Sequence, residues 1–119
     1  MKWFIAKIIF HIINDEINSS KQFDEQVRLI SAADKLIALN KARHIGENEE
    51  ELFWNSRQQL VQWKFINVAE LYELGELVNG MELHSKVLEY DEPLSYIDSV
   101  HKRAEDILQY GVRKNLQLI

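Results

Sequence analysis

The segment Lys2–Ile13 constrains the fold most, because nearly every residue in it is apolar. Its even positions are all apolar: Phe4, Ala6, Ile8, Phe10 and Ile12. Its odd positions are mostly apolar too, with Lys7 and His11 as the exceptions. Successive strand residues point to opposite faces of a sheet, so a strand that is apolar on both faces is covered on both. The segment therefore predicts the central strand of a sheet.

A second strand is predicted for Gln22–Ile30, after a polar connection over Asn14–Lys21. Its alternation is typical of a half-exposed strand. The apolar members are Phe23, Val27 and Leu29, and the polar members are Asp24, Gln26 and Arg28. We expect this strand to pair antiparallel with the first.

A helix is predicted over Ala32–Ile45. Ser31 and Asp34 have the spacing of a capping box, with Asp in place of the usual Glu. Gly46 is well placed as the left-handed residue that terminates the helix. The run Glu47–Glu51, acidic apart from its second residue, precedes three large apolar residues, Leu52, Phe53 and Trp54. This pattern predicts a loop or short helix whose aromatic residues return to the core.

The third strand begins near Gln59 and changes phase midway. Val61, Trp63 and Phe65 alternate with polar residues, and the apolar phase then moves to Val68, Tyr72 and Leu74. A phase shift of one residue indicates a β-bulge, expected near Asn67. A short helix over residues 68–78 also fits the spacing, and we favour the bulged strand.

Asn79-Gly80 is a strong turn signal, and a fourth strand is predicted for Met81–Glu89. Asp91, Glu92 and Pro93 then open a last helix, with acids at its positive end and proline in its first turn. Gly111 is expected to end it. The apolar stripe of this helix contains Leu94, Ile97, Val100, Ala104, Ile107 and Leu108.

The predicted order is ββαββα within one domain spanning residues 1–119. The fold class is α+β, a mainly antiparallel four-stranded sheet of proposed order 2-1-3-4 with two helices packed on it. The second apolar face of the first strand then needs a cover. We expect a homodimer or another protein to supply it, since two-fold homodimers are the commonest oligomers.

Composition excludes several classes of function. The chain has 19 acidic and 14 basic residues, and the basic ones are scattered, so nucleic-acid binding is not expected. It has no cysteine, which suits a reducing compartment. The apolar start resembles a signal peptide, but Lys7 and His11 interrupt it and no small-residue cleavage site follows. We therefore expect a cytoplasmic protein that does not span a membrane.

Several separated motifs resemble one known family. They are Trp3-Phe4-Ile5-Ala6-Lys7, Gln22-Phe23-Asp24-Glu25-Gln26, Val61-Gln62-Trp63-Lys64-Phe65-Ile66-Asn67-Val68 and Glu70-Leu71-Tyr72. Together they are similar to the small bacterial domain of unknown function 4288, over residues 3 to about 88. The resemblance implies a bacterial, non-secreted protein, with no established activity and no catalytic residues to carry over.

Candidate binding residues are few, and the sequence supplies no catalytic set, metal motif or cofactor signature. They are Trp3, His11, Trp63 and His84. Histidine titrates near neutral pH, but we interpret His11 as a structural residue. Glu70 and Glu73 would lie on opposite faces of a strand, so they cannot form a catalytic pair there.

Two functions remain open. The first is a non-enzymatic protein-interaction or regulatory module, favoured by the doubly apolar first strand. The second is a small ligand-binding protein or enzyme with a pocket between the sheet and the helices.

Overall fold

The structure is a computed structural model that describes residues 1–14 and 21–117, with the backbone alone for 112–117. The predicted connection after the first strand lies mostly outside these residues. The chain groups into two compact units, Met1–His84 and Ser85–Ile119. The single-domain organisation stays a prediction.

The elements follow the predicted order ββαββα. They are β1 Lys2–Asn14, β2 Gln22–Ala32, α1 Lys35–Asn48, β3 Glu51–Trp54, β4 Leu60–Leu74 and α2 Pro93–Gln117. The four strands form one antiparallel sheet of order β2-β1-β4-β3. The α+β class and the central place of the first strand are confirmed.

The predicted strand order 2-1-3-4 was wrong in its last two places, because the observed order is β2-β1-β4-β3. Residues 81–89 are not a strand, and the fourth strand is Glu51–Trp54, which precedes β4. Asn79-Gly80 does form a turn, closed by a bond from the Met81 N–H to the Val78 carbonyl at 3.2 Å. Of its two central residues only Gly80 has a positive φ, at 83°. Such a turn does not match the twist of a two-residue hairpin, which favours the primed turn types.

The β3–β4 hairpin is closed by Asn55 instead. Its side-chain Oδ1 accepts bonds from the N–H groups of Arg57 and Gln59, at 2.9 and 3.0 Å. The Asn55 N–H also donates to the Gln59 carbonyl at 2.9 Å. The loop or short helix predicted here is thus a short strand, and Trp54 is exposed rather than returned to the core.

The predicted bulge in β4 is present as two register shifts. Lys7 lies opposite Glu70 and Ile8 opposite Val68, so Ala69 is extra on β4. A second shift falls between Ile9 and Phe10 and leaves Ile66 extra. The shifts flank Asn67, and the strand continues to Leu74, so the bulged strand is confirmed over the short helix.

Helix α1 begins where Asp34 caps it. The Asp34 Oδ1 accepts a bond from the Ile37 N–H at 2.9 Å, so Asp34 is itself the N-cap rather than the partner of Ser31. The predicted start at Ala32 was early, because that residue still belongs to β2.

Small residues line the side of α1 that faces the sheet. Ala38, Ala42 and Gly46 are all buried and lie four residues apart, on one side of the helix. They pack over a core that also contains Phe4, Ala6, Ile8, Phe10, Ile30 and Ala32. Gly46 was wrongly predicted as the terminator, since the helix runs on to Asn48. A Cβ at Gly46 would overlap the ring of Phe65, so close packing requires this glycine.

Helix α2, in the second unit, opens at Pro93 as predicted. Its predicted end at Gly111 was wrong, because the helix continues to Gln117. Glycine lowers helix stability by only about 1 kcal/mol, which a 25-residue helix tolerates. The rings of Tyr90 and Tyr96 stack at its start, with centroids 4.3 Å apart.

We predict that Gly46→Ala destabilises the protein. The added methyl gains up to about 1 kcal/mol of helix propensity but overpacks the contact with Phe65, which costs about 1–3 kcal/mol. The free energy of unfolding, measured by urea denaturation, should fall by about 1–2 kcal/mol.

The matched control is Gly111→Ala, also in a helix, where a Cβ meets nothing within 4 Å. It should not lower stability. Adding Phe65→Leu to Gly46→Ala should restore part of the loss. A Gly46→Ala protein as stable as wild type would contradict the close-contact explanation.

Candidate functional site: the open face of the sheet

The sheet has one face that α1 covers and one that points away from α1. We call the face that points away from α1 the open face. It consists of the odd-numbered residues of β1 from Trp3 to His11, those of β2 from Phe23 to Ser31, and their neighbours on β4. Directly opposed residues of antiparallel strands share a face, so Ile5 lies between Leu29 and Tyr72. The open face is apolar around this centre.

On β2 the more exposed face carries most of the apolar side chains. Phe23, Val27 and Leu29 are more than half exposed on the open face. The polar residues Asp24 and Gln26 are only partly exposed, and they lie on the face that carries α1. An ordinary surface strand has the opposite arrangement.

The polar residues of β2 satisfy one another along the strand. The Gln26 Nε2 donates to the Asp24 Oδ2 at 2.6 Å, and the Arg28 Nε donates to the Gln26 Oε1 at 3.1 Å. Arg28 also forms an ion pair with Glu49 at the end of α1. We call this row of Asp24, Gln26 and Arg28 the polar ladder. It explains how these side chains can lie beside the core.

A charged cluster lies within the open face. The Lys7 Nζ is 3.1 Å from Glu70 Oε2 on β4 and 3.9 Å from Glu25 Oε2 on β2. The hydrogen bond to Glu70 is the main cause that raises the pKa of Lys7 above its ordinary 10.5. Burial opposes the rise, and attraction to both carboxylates adds to it. Lys7 therefore lies between two carboxylates, within a face that is otherwise largely apolar.

The candidate residues are distributed over both faces of the sheet. Trp3 and His11 lie on the open face, and the His11 ring stacks on Phe23 with centroids 4.6 Å apart and planes 10° apart. The His84 ring lies 4.6 Å from that of Tyr72, a residue of the open face. Trp63 lies on the opposite face, with its ring 6.3 Å from Phe10. The structure therefore brings together no set of all four.

The two glutamates of β4 point to opposite faces, as predicted. Glu70 lies opposite Lys7 on the open face, whereas Glu73 lies opposite Phe4. Glu73 instead pairs with Lys2, at 3.4 Å between Oε1 and Nζ. The two carboxylates cannot act on one substrate.

A cavity of about 430 Å³ lies between α1 and β4. Its lining consists of two charged residues, Lys35 and Glu70, and five apolar ones, Leu36, Leu39, Val68, Ala69 and Leu71. This is the place of the predicted pocket between sheet and helix. Its mostly apolar lining suits a small hydrophobic ligand better than a charged one.

Within residues 1–14 and 21–117 no cluster of three or more His, Asp or Glu side chains could hold a metal ion. No helix in that same part of the chain is long and apolar enough to cross a membrane.

These features define a small α+β domain in which one helix covers one face of a four-stranded antiparallel sheet. The chain belongs to the family described as Domain of unknown function (DUF4288), whose family model matches residues 3–85. The match coincides closely with the first compact unit and leaves α2 outside it. No curated protein matches the chain, and no solved structure does.

Sequence reasoning missed the partners of Lys7 and the outward direction of the apolar side chains on β2. A signal for the first was available, because a lysine in an apolar strand indicates carboxylates on neighbouring strands. The second depends on which face α1 covers, and no local pattern reports that.

We predict that the ion pairs of Lys7 contribute stability that is lost at alkaline pH. The folded state holds the Lys7 proton more tightly than the unfolded state, whose pKa is near 10.5. As the pH rises above that value, the unfolded state releases its proton first, and the free energy of unfolding falls. Lys7→Met removes this contribution.

Urea denaturation between about pH 9 and pH 11.5 tests the prediction. The wild-type stability should fall more steeply than that of Lys7→Met, with Lys64→Met as a control for a lysine on the same face. Parallel curves for wild type and Lys7→Met would contradict it.

Proposed function

We propose that this chain is a non-enzymatic protein-interaction module of the bacterial cytoplasm, and that it binds a partner protein through the open face. The observation that carries the proposal is the arrangement of β2, which turns its apolar side chains to solvent and its polar ladder toward the α1 side. Contiguous exposed apolar patches mark interaction sites. Covering Phe23, Val27 and Leu29 would stabilise a complex through burial of apolar area.

The charged cluster supports recognition as well as burial. Glu25, Lys7 and Glu70 place charged groups at the centre of the patch, and the Glu25 side chain is 61% exposed. A partner that places a basic side chain beside Glu25 gains an ion pair, whereas one that places an acid there is repelled. The partner surface we expect is therefore apolar with a Lys or Arg near Glu25.

The cavity between α1 and β4 favours a second candidate function, a small ligand-binding protein. An apolar ligand there would contact Leu39 and Leu71. A screen of small hydrophobic metabolites by thermal shift tests it, because a ligand that binds only the native state raises the melting temperature.

We predict that a photo-crosslinking residue at position 27 captures a partner and that one at position 36 does not. Val27 and Leu36 are similarly exposed, at 63% and 66%, but only Val27 lies on the open face. Benzoylphenylalanine at each position, irradiated in cells, provides the comparison. Adducts are identified by mass spectrometry, and those that join two copies of this chain are counted separately from those to another protein.

The partner identified at position 27 is then purified and its affinity measured. Leu29→Lys should weaken binding at least about tenfold, because the complex would bury an unpaired charge. Leu36→Lys should bind like wild type. Equal adducts at the two positions, or no effect of Leu29→Lys, would overturn the proposal.

A further inference from the structure

The two edges of the sheet differ in how they are protected. Unpaired edge strands tend to recruit further strands, and proteins blunt them with short strands, bulges or charges. Along the outer side of β4, β3 covers only Leu60–Trp63. The Glu50 Oε2 then accepts a bond from the Phe65 N–H at 3.0 Å, in the place of the next strand residue. Beyond that point, the two bulges distort the outer side of β4.

The β2 edge has neither a short strand nor a bulge. It is 11 residues long and follows one uninterrupted register with β1, from Lys2 opposite Ala32 to Ile12 opposite Gln22. It contains no proline. Among the described strands it ends the sheet, so its outward N–H and C=O groups are set to pair with another strand.

We infer that β2 of a second copy of this chain pairs antiparallel with this edge, in a two-fold register centred on Gln26. In this register Asp24 lies opposite Arg28 of the second copy, and Arg28 lies opposite Asp24 of the second copy. On the open face Phe23 lies opposite Leu29 of the second copy. On that face Glu25 also lies opposite Val27 of the second copy, while its carboxylate stays paired with Lys7 of its own chain. The Asp24–Arg28 and Phe23–Leu29 pairs are the favourable cross-strand pairs of this register.

Neighbouring registers lack this complementarity. A pairing centred on Glu25 places that carboxylate against its own copy, and one centred on Arg28 does the same with two guanidinium groups. A pairing centred on Val27 sets Asp24 against Ile30 and Arg28 against Gln26, so the Asp24–Arg28 pairs are lost. Like charges directly opposite destabilise a sheet, so the charge pattern of β2 selects Gln26 as the centre.

The polar ladder is compatible with this pairing. A guanidinium has five donors, and the bonds of Arg28 to Gln26 and Glu49 use its Nε and Nη2. The Nη1 donors can therefore reach Asp24 of the second copy. The two ladders run antiparallel, so the acidic end of one meets the basic end of the other.

The symmetry also leaves the open face available. A two-fold axis normal to the sheet keeps both open faces on the same side, and Phe23 and Leu29 of the two copies join them into one surface. The pairing thus goes beyond the proposed function and does not compete with it. Failure of the pairing would leave binding through the open face intact, and the converse also holds.

The absence of cysteine from the chain makes the register directly testable. Opposed residues have Cα atoms about 4.5–5.5 Å apart, within the range that a disulfide spans. Gln26→Cys should therefore form a disulfide-linked dimer in a glutathione redox buffer. Val27→Cys is the matched control. In this register residue 27 faces residue 25 of the second copy, so the two Cα atoms at position 27 are offset along the strands and lie too far apart for a disulfide.

Cross-linking of Val27→Cys without Gln26→Cys would overturn the register, and cross-linking of neither would overturn the pairing. Circular dichroism melts of both reduced variants establish that they fold. Adducts that form equally in urea would show collision of unfolded chains and would also contradict the inference.

Charge reversal tests the same pairing without cysteine. By light scattering the wild type should be a dimer of twice its 14.1 kDa. Arg28→Asp should raise the dissociation constant of the dimer at least about tenfold, because the new carboxylate faces Asp24 of the second copy. Asp24→Arg combined with Arg28→Asp should restore the dimer. Glu49→Gln removes only the ion pair within the chain and should stay dimeric, whereas a monomeric wild type would overturn the inference.

Discussion

The close approach of α1 to β1 is the contact on which the rest of the first unit depends. Ala38, Ala42 and Gly46 present almost no side chain to the sheet, so the large residues of β1 fill the space between the two layers. This helix covers one face only. The other face, where β1 is apolar except at Lys7 and His11, is the open face.

The central strand and the bulged strand could be predicted because each has a characteristic local pattern of apolar residues. Apolar residues on both faces of Lys2–Ile13 require a central position, and the phase change after Phe65 requires extra residues. The β3 strand could not be predicted in the same way. Four residues with no alternation and exposed aromatics carry no strand signal, and Asn55 closes the hairpin with a side chain rather than a glycine turn.

Gly46 and Gly111 show how one residue type can mislead. Each stands near the end of a helical pattern, where glycine usually terminates a helix. Each lies inside its helix here, and for Gly46 the reason is the ring of Phe65, a residue 19 positions away in the sequence. Residue propensities describe the local sequence, so they cannot predict a contact between residues this far apart.

The sequence predicted which face of β1 carries the candidate site, but not which side chains meet there. The second apolar face of the first strand was identified from sequence as the surface that needs a cover, and Trp3 and His11 do lie on it. The Glu25–Lys7–Glu70 cluster depends on the register between three strands. The direction of the β2 side chains depends on the face that α1 covers. Neither can be obtained from spacing within one segment.

The carboxylate of Glu50 has a consequence for the size of any assembly built from this sheet. By occupying the Phe65 N–H it removes a rung from which an added strand could propagate, and β3 is too short to replace it. The β2 edge is therefore the better suited of the two to strand addition. In the pairing we infer, both copies use that edge, so growth by this route would stop at two chains.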